Sequence, residues 1–138
     1  ELRDLLSHPD RRVRQEAQFE LVARGPDGIS VLRDAATGGT STLPRLHGLW
    51  GLGMAARAGD RGLAVEVSGV LGDADARVRA AALDVLGDLR ETSALELVVA
   101  STRDPEARVR LHACTALGRM GAPEGVPHVQ RAGHVRRR

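Results

Sequence analysis

Asp73-Ala-Asp-Ala-Arg-Val-Arg-Ala-Ala-Ala-Leu-Asp-Val-Leu-Gly87 is answered 31 residues later by Asp104-Pro-Glu-Ala-Arg-Val-Arg-Leu-His-Ala-Cys-Thr-Ala-Leu-Gly118. Weaker copies lie upstream. Val13-Arg14 and Pro44-Arg45 precede Val78-Arg79 and Val109-Arg110, at spacings of 31, 34 and 31. Three residues after each arginine stands a small residue: Ala17, Gly48, Ala82 or Ala113. Four further on is a leucine each time, Leu21, Leu52, Leu86 and Leu117. A period of this size predicts a stacked array of two-helix units, none of which can bury its apolar face alone.

Each copy divides into a helix A, a short turn and a helix B. The A helices are placed near 10–24, 42–58, 74–89 and 105–120, and the B helices near 26–37, 61–71, 92–102 and 123–132. Asp73 and Asp104 are expected as N-caps, with Pro105 at the first helical position, where its missing N–H does no harm. His8-Pro9-Asp10 is a variant of that cap, and Thr40-Ser41-Thr42 can serve the second copy. Gly25-Pro26, Gly59-Asp60, Arg90-Glu91-Thr92 and Gly121-Ala122-Pro123 mark the A-to-B turns. The apolar residues of the B helices also superpose: Ile29, Val31 and Leu32; Leu63 and Val65; Leu95, Leu97 and Val98; Val126 and Val129. No segment alternates apolar and polar residues between turns, so no strand is expected.

The expected fold is therefore all-α, a right-handed α-solenoid of about four two-helix repeats. Residues 1–138 form one domain, with repeats at about 8–39, 40–72, 73–103 and 104–133. Residues 1–7 read as the end of a preceding helix and 134–138 as a basic tail. The chain begins on Glu1 without a methionine, which points to a piece of a longer protein.

Composition narrows the function. The chain is 42% hydrophobic, yet its aromatic residues are Phe19 and Trp50 alone, so the core must be Leu, Val and Ala. All 20 basic residues are arginine, against 18 acidic ones, for a net charge of +2. Arginine and carboxylate alternate along most segments, whereas a nucleic-acid footprint segregates its basic residues on one face. One cysteine, Cys114, excludes an internal disulfide and a multi-cysteine metal site. No apolar run approaches the ~18 residues of a membrane span. A soluble protein is expected, and its sequence leaves the compartment open between cytoplasm and, for a piece of a secreted fusion, periplasm.

The pattern Asp-x4-Val-Arg-x2-Ala-x3-Leu-Gly, complete at 73–87 and 104–118, resembles the HEAT-like repeat, including the short version of phycobilisome lyases. The resemblance implies A helices on a convex side and B helices on a concave docking side. It implies that Arg14, Arg45, Arg79 and Arg110 link one repeat to the next through ion pairs, with Asp73 and Asp104 among the acidic partners. The second copy departs from the pattern, with Pro44 for the valine and Gly39 for the cap aspartate. The first has His8 for that aspartate and Val22 for the closing glycine. Residues 8–21 with 43–53 also look like the HEAT region of large bacterial secreted proteins that join a dehydrogenase-like propeller to a c-type cytochrome domain.

Candidate sites follow. Arg12, Arg77 and Arg108 form a second arginine column, suited to phosphate or to carboxylates of neighbouring repeats. His47 and His112 occupy equivalent positions two repeats apart, too far for one zinc ion with bonds of ~2.0–2.1 Å; no metal and no cofactor are expected. Cys114 aligns with Gln18, Leu49 and Leu83 in a semi-buried slot. Trp50 reads as a large core filler, or as an interaction hot spot if exposed. On the B helices Ser30, Arg33, Asp34, Arg61, Glu66, Glu96, His128 and Gln130 are the expected exposed contacts. The leading function is a non-catalytic scaffold binding a protein or peptide. The alternatives are a spacer within a secreted oxidoreductase and a HEAT-like DNA-binding or DNA glycosylase-like protein.

Overall fold

The computed structural model describes residues 1–39 and 41–121, and every described regular element is helical. In chain order these are α1 (Leu2–Leu5), α2 (Arg11–Ala23), α3 (Pro26–Gly38), α4 (Thr42–Arg57), α5 (Gly62–Ser68), α6 (Ala76–Leu89), α7 (Leu95–Ser101) and α8 (Ala107–Met120). Single 3₁₀ turns, Gly69–Gly72 and Thr92–Ala94, extend α5 and introduce α7. The chain divides into two compact units, Glu1–Val67 and Ser68–Arg138. The expected B helix at 123–132, with Val126 and Val129, His128 and Gln130, and the basic tail lie outside the described residues, as does Thr40.

The helix starts fall one to two residues later than the aspartate pattern implies. His8, Asp73 and Asp104 are not the caps. His8 Nδ1 accepts from the Asp10 N–H at 3.0 Å, Asp73 Oδ1 from the Asp75 N–H at 2.8 Å, and Asp104 Oδ1 from the Glu106 N–H at 2.9 Å. A side chain bonded to the N–H two residues ahead holds a local turn that delays the helix. The caps are Asp10, Asp75 and Glu106, all with extended backbone. Asp10 and Asp75 repeat the same bond one step on, to the N–H groups of Arg12 and Arg77. Glu106 makes no side-chain cap bond. Pro105 accordingly belongs to the turn rather than to α8. Ser41 stands at the cap of α4, likewise without a side-chain cap bond.

The repeating leucines are the core. Leu21, Leu52, Leu86 and Leu117 are all buried, with Leu32, Leu49 and Leu83 beside them in the sequence of buried positions. Burying each leucine contributes roughly 1.5–3 kcal/mol relative to leaving it exposed. Val78 and Val109 are fully buried, but Val13 at the head of the first copy is only half-buried.

In the first unit the most extensive packing joins α3 to α4, and a small residue makes it possible. A Cβ on Gly48 would stand 2.6 Å from the Leu32 carbonyl oxygen and 2.7 Å from the Ala36 nitrogen. Gly48 thus brings helix A close to the helix B before it, while within the first repeat Gly28 of α3 lies against the Leu21 carbonyl of α2, where a Cβ would stand 1.7 Å from the oxygen. In the second unit α6 packs mainly on α8, where a Cβ on Gly87 would lie 2.8 Å from the Ala116 Cα.

Candidate functional site

The recurring arginines do one job at one end and different jobs at the other. Arg14 Nη1 donates to the carbonyls of His8 and Pro9 at 2.7 and 2.9 Å. Arg79 Nη1 does so to Asp73 and Ala74 at 2.8 and 3.2 Å, and Arg110 Nη1 to Asp104 and Pro105 at 2.8 and 2.9 Å. Each guanidinium therefore closes the turn ahead of its own helix, satisfying carbonyls that no helix would pair. At the other end Arg79 reaches the following repeat: Nε and Nη2 grip Asp104 Oδ2 and Oδ1 at 2.9 and 3.0 Å. That hydrogen bonding holds the Asp104 carboxyl below its ordinary range and raises the Arg79 guanidinium. Arg14 has Gly39 at the matching place and donates its Nε to His47 Nε2 at 3.2 Å instead. Arg45 Nε donates to the Ala36 carbonyl at 3.3 Å. In the second column Arg12 and Arg77 stand beside Asp10 and Asp75 of their own caps, and Arg108 is exposed.

Two of the expected B-helix contacts close on each other. Arg33 Nε and Nη2 donate to Glu66 Oε2 and Oε1 at 2.6 and 3.1 Å, and this pairing raises the Arg33 guanidinium. Ser30, Asp34, Arg61 and Glu96 are exposed. So are Val65 and Leu97, at 58% and 50%, although their alignment with apolar positions of other copies suggests core residues.

The concentration of unusual features lies between α2 and α4. His47 is buried and is held in a directed chain. Arg14 Nε can only donate, so His47 Nε2 accepts and the ring proton resides on Nδ1. Nδ1 then donates to Gln18 Oε1 at 2.8 Å, and Gln18 Nε2 donates to the Met54 sulfur at 3.1 Å. Burial, then the charges of Arg14 and Arg11, pushes the His47 pKa down. The imidazole is neutral near pH 7 for that reason. Gln18 fills the slot taken by Leu49 and Leu83 in other copies, and the chain is what lets a polar group occupy it.

Trp50 stands edge-on to His47, ring centroids 5.0 Å apart, and is 40% exposed; it is not the core filler its size suggests. The repeat itself carried the signal, because the matching positions, Phe19, Asp84 and Thr115, all retain exposure. Leu43 and Met54 are exposed on the same stripe of α4, at spacings of seven and four from Trp50. Together with Arg11, Arg14, Gln15 and Gln18 of α2, residues Leu43, His47 and Trp50 line a cleft of about 320 Å³.

The other histidine of interest, His112, has its own partner: Nδ1 lies 2.7 Å from Asp84 Oδ1. Among the described residues no group of three His, Cys, Asp or Glu side chains is arranged to hold a metal. Cys114 is half-buried, and burial pushes its thiol pKa up, away from the reactive thiolate. No helix among the described residues is long and apolar enough to cross a membrane.

A family model for HEAT repeats matches residues 66–136, just over half of the chain. The chain belongs to the HEAT-repeat family. The matched segment holds both complete copies of the motif and the Arg79–Asp104 link, while the Trp50 cleft of this HEAT-repeat chain lies ahead of it. A search of the curated proteins finds no match.

Proposed function

We propose that this HEAT-repeat chain is a non-catalytic scaffold that binds a protein segment, with the α2–α4 face as its principal anchor. The observation that carries this reading is the half-exposed Trp50. A large aromatic on a rigid helix, flanked by the exposed apolar Leu43 and Met54 and backed by buried polar groups, is the composition of an interface hot spot. HEAT repeats commonly act as interaction scaffolds, which supports the class of function. In the first unit the B helices expose Arg61 and Val65, whereas Arg33 and Glu66 neutralise one another there; in the second unit Glu96 and Leu97 are exposed on their own helix.

Site-specific photo-crosslinking tests the reading. A photoreactive p-benzoylphenylalanine is placed at Met54 on the α4 stripe and, separately, at Leu97. A discrete protein adduct from Met54, stronger than from Leu97, is expected. An absence of protein adducts from both positions would contradict the scaffold reading, and an adduct from Leu97 alone would move the anchor to the B helices.

A further inference from the structure

The α2–α4 cleft has walls of one charge sign. Arg11, Arg14, Gln15 and Gln18 fall at helical spacing on the cleft side of α2, while Glu16 and Glu20 line a different groove with α1 residues. Helix α4 contains no Asp or Glu at all. Arg11 is exposed and makes no hydrogen bond or ion pair among the described residues. Arg14 uses Nη1 and Nε internally, leaving Nη2 without a hydrogen bond among the described residues. Beside these cations stand the exposed Leu43 and Trp50.

We propose that this cleft docks an acidic protein segment, with a carboxylate between Arg11 and Arg14 and an adjoining apolar side chain against Trp50 and Leu43. Guanidinium forks match the planar carboxylate, and the aromatic ring supplies apolar area at low cost in side-chain freedom. The inference rests on the scaffold reading, of which it specifies the partner. A nucleic acid would bring phosphates but would ask for stacking surfaces beyond a single ring.

Trp50 is the sole tryptophan, so its fluorescence reports on the cleft directly. Three probes are titrated: a peptide of alternating glutamate and leucine, its lysine–leucine counterpart, and single-stranded oligothymidylate. The acidic peptide is expected to change Trp50 emission saturably and the other two to leave it unchanged. Arg11→Glu, at a side chain with no internal bond to lose, is expected to weaken the acidic peptide about tenfold or more, and Arg11→Lys to retain most of the binding. A silent Trp50, equal response to the basic peptide, preference for the oligonucleotide, or an Arg11→Glu variant that binds normally would each overturn the proposal. If the acidic peptide fails while Met54 still gives a protein adduct, the scaffold reading survives and the partner chemistry is wrong.

Discussion

Arg79 and Asp104 meet through two parallel hydrogen bonds of 2.9 and 3.0 Å while Arg79 Nη1 holds the Asp73 carbonyl, so one guanidinium ties two helix starts together. Both side chains are largely buried, which raises the cost of losing either partner.

Asp104→Asn keeps the oxygen that accepts from the Glu106 N–H but removes the charge facing Arg79. It should cost about 2 kcal/mol, the scale of a charge-assisted hydrogen bond. Because the folded pKa of Asp104 is depressed, its contribution is present above the ordinary carboxylate value of ~3.9 and is lost as pH falls through the folded value. Urea titrations between pH 3 and 6 should show the wild-type and Asn curves converging at the acid end.

Below about pH 6.5 a second loss of stability should come from His47. Its folded pKa is lowered, so the unfolded chain binds the proton first and stability falls as pH falls through that interval. Gln18→Leu installs the residue found at positions 49 and 83, yet it leaves the His47 Nδ1–H without its acceptor. Thermal melts at pH 7 should show a loss of about 1–3 kcal/mol, although the side chain is more apolar.

The core was legible because its signal is periodic. Leu86 and Leu117 lie at matching places in two copies that share the same Val-Arg, Ala and Leu-Gly positions, and burial at those places follows from packing equivalent helices. The caps were misplaced because two successive polar residues can each bond an N–H two ahead, and composition does not say which bond begins the helix. Gln18 and His47 were legible as positions but not as a pair. Their hydrogen bond joins residues 29 apart in the sequence, where no local rule applies. The size of Trp50 suggests a core filler, whereas its exposure follows that of its repeat equivalents Phe19, Asp84 and Thr115. Arg33 and Glu66 face outward and still pair, because helix B faces of adjacent repeats align at a spacing that the motif does not record.

Two helical glycines should respond oppositely to alanine. Gly48→Ala pushes a methyl into the α3 backbone and should destabilise by about 1–3 kcal/mol. Gly118→Ala meets nothing within 4 Å and should stabilise by about 0.5–1 kcal/mol through helix propensity. Denaturant midpoints of the two variants measure the contrast.

Arg90 ends α6 in the left-handed conformation at φ 50°, where the next copy has Gly121 at φ 63°. Such a backbone costs a side chain-bearing residue about 1–2 kcal/mol. Arg90→Gly should raise stability by a fraction of that, about 0.5–1 kcal/mol, after its extra unfolded-state freedom is subtracted. A lowered melting temperature would mean that the Arg90 side chain contributes more than its backbone strain removes.

Trp50→Ala probes the α2–α4 anchor itself, in calorimetric titrations with the protein segment identified by crosslinking from Met54. With helix content unchanged by circular dichroism, affinity should fall by about 30-fold or more, the ~2 kcal/mol expected of a hot-spot aromatic. Affinity within about twofold of wild type, well under 1 kcal/mol, would contradict the placement of the binding anchor on the α2–α4 face.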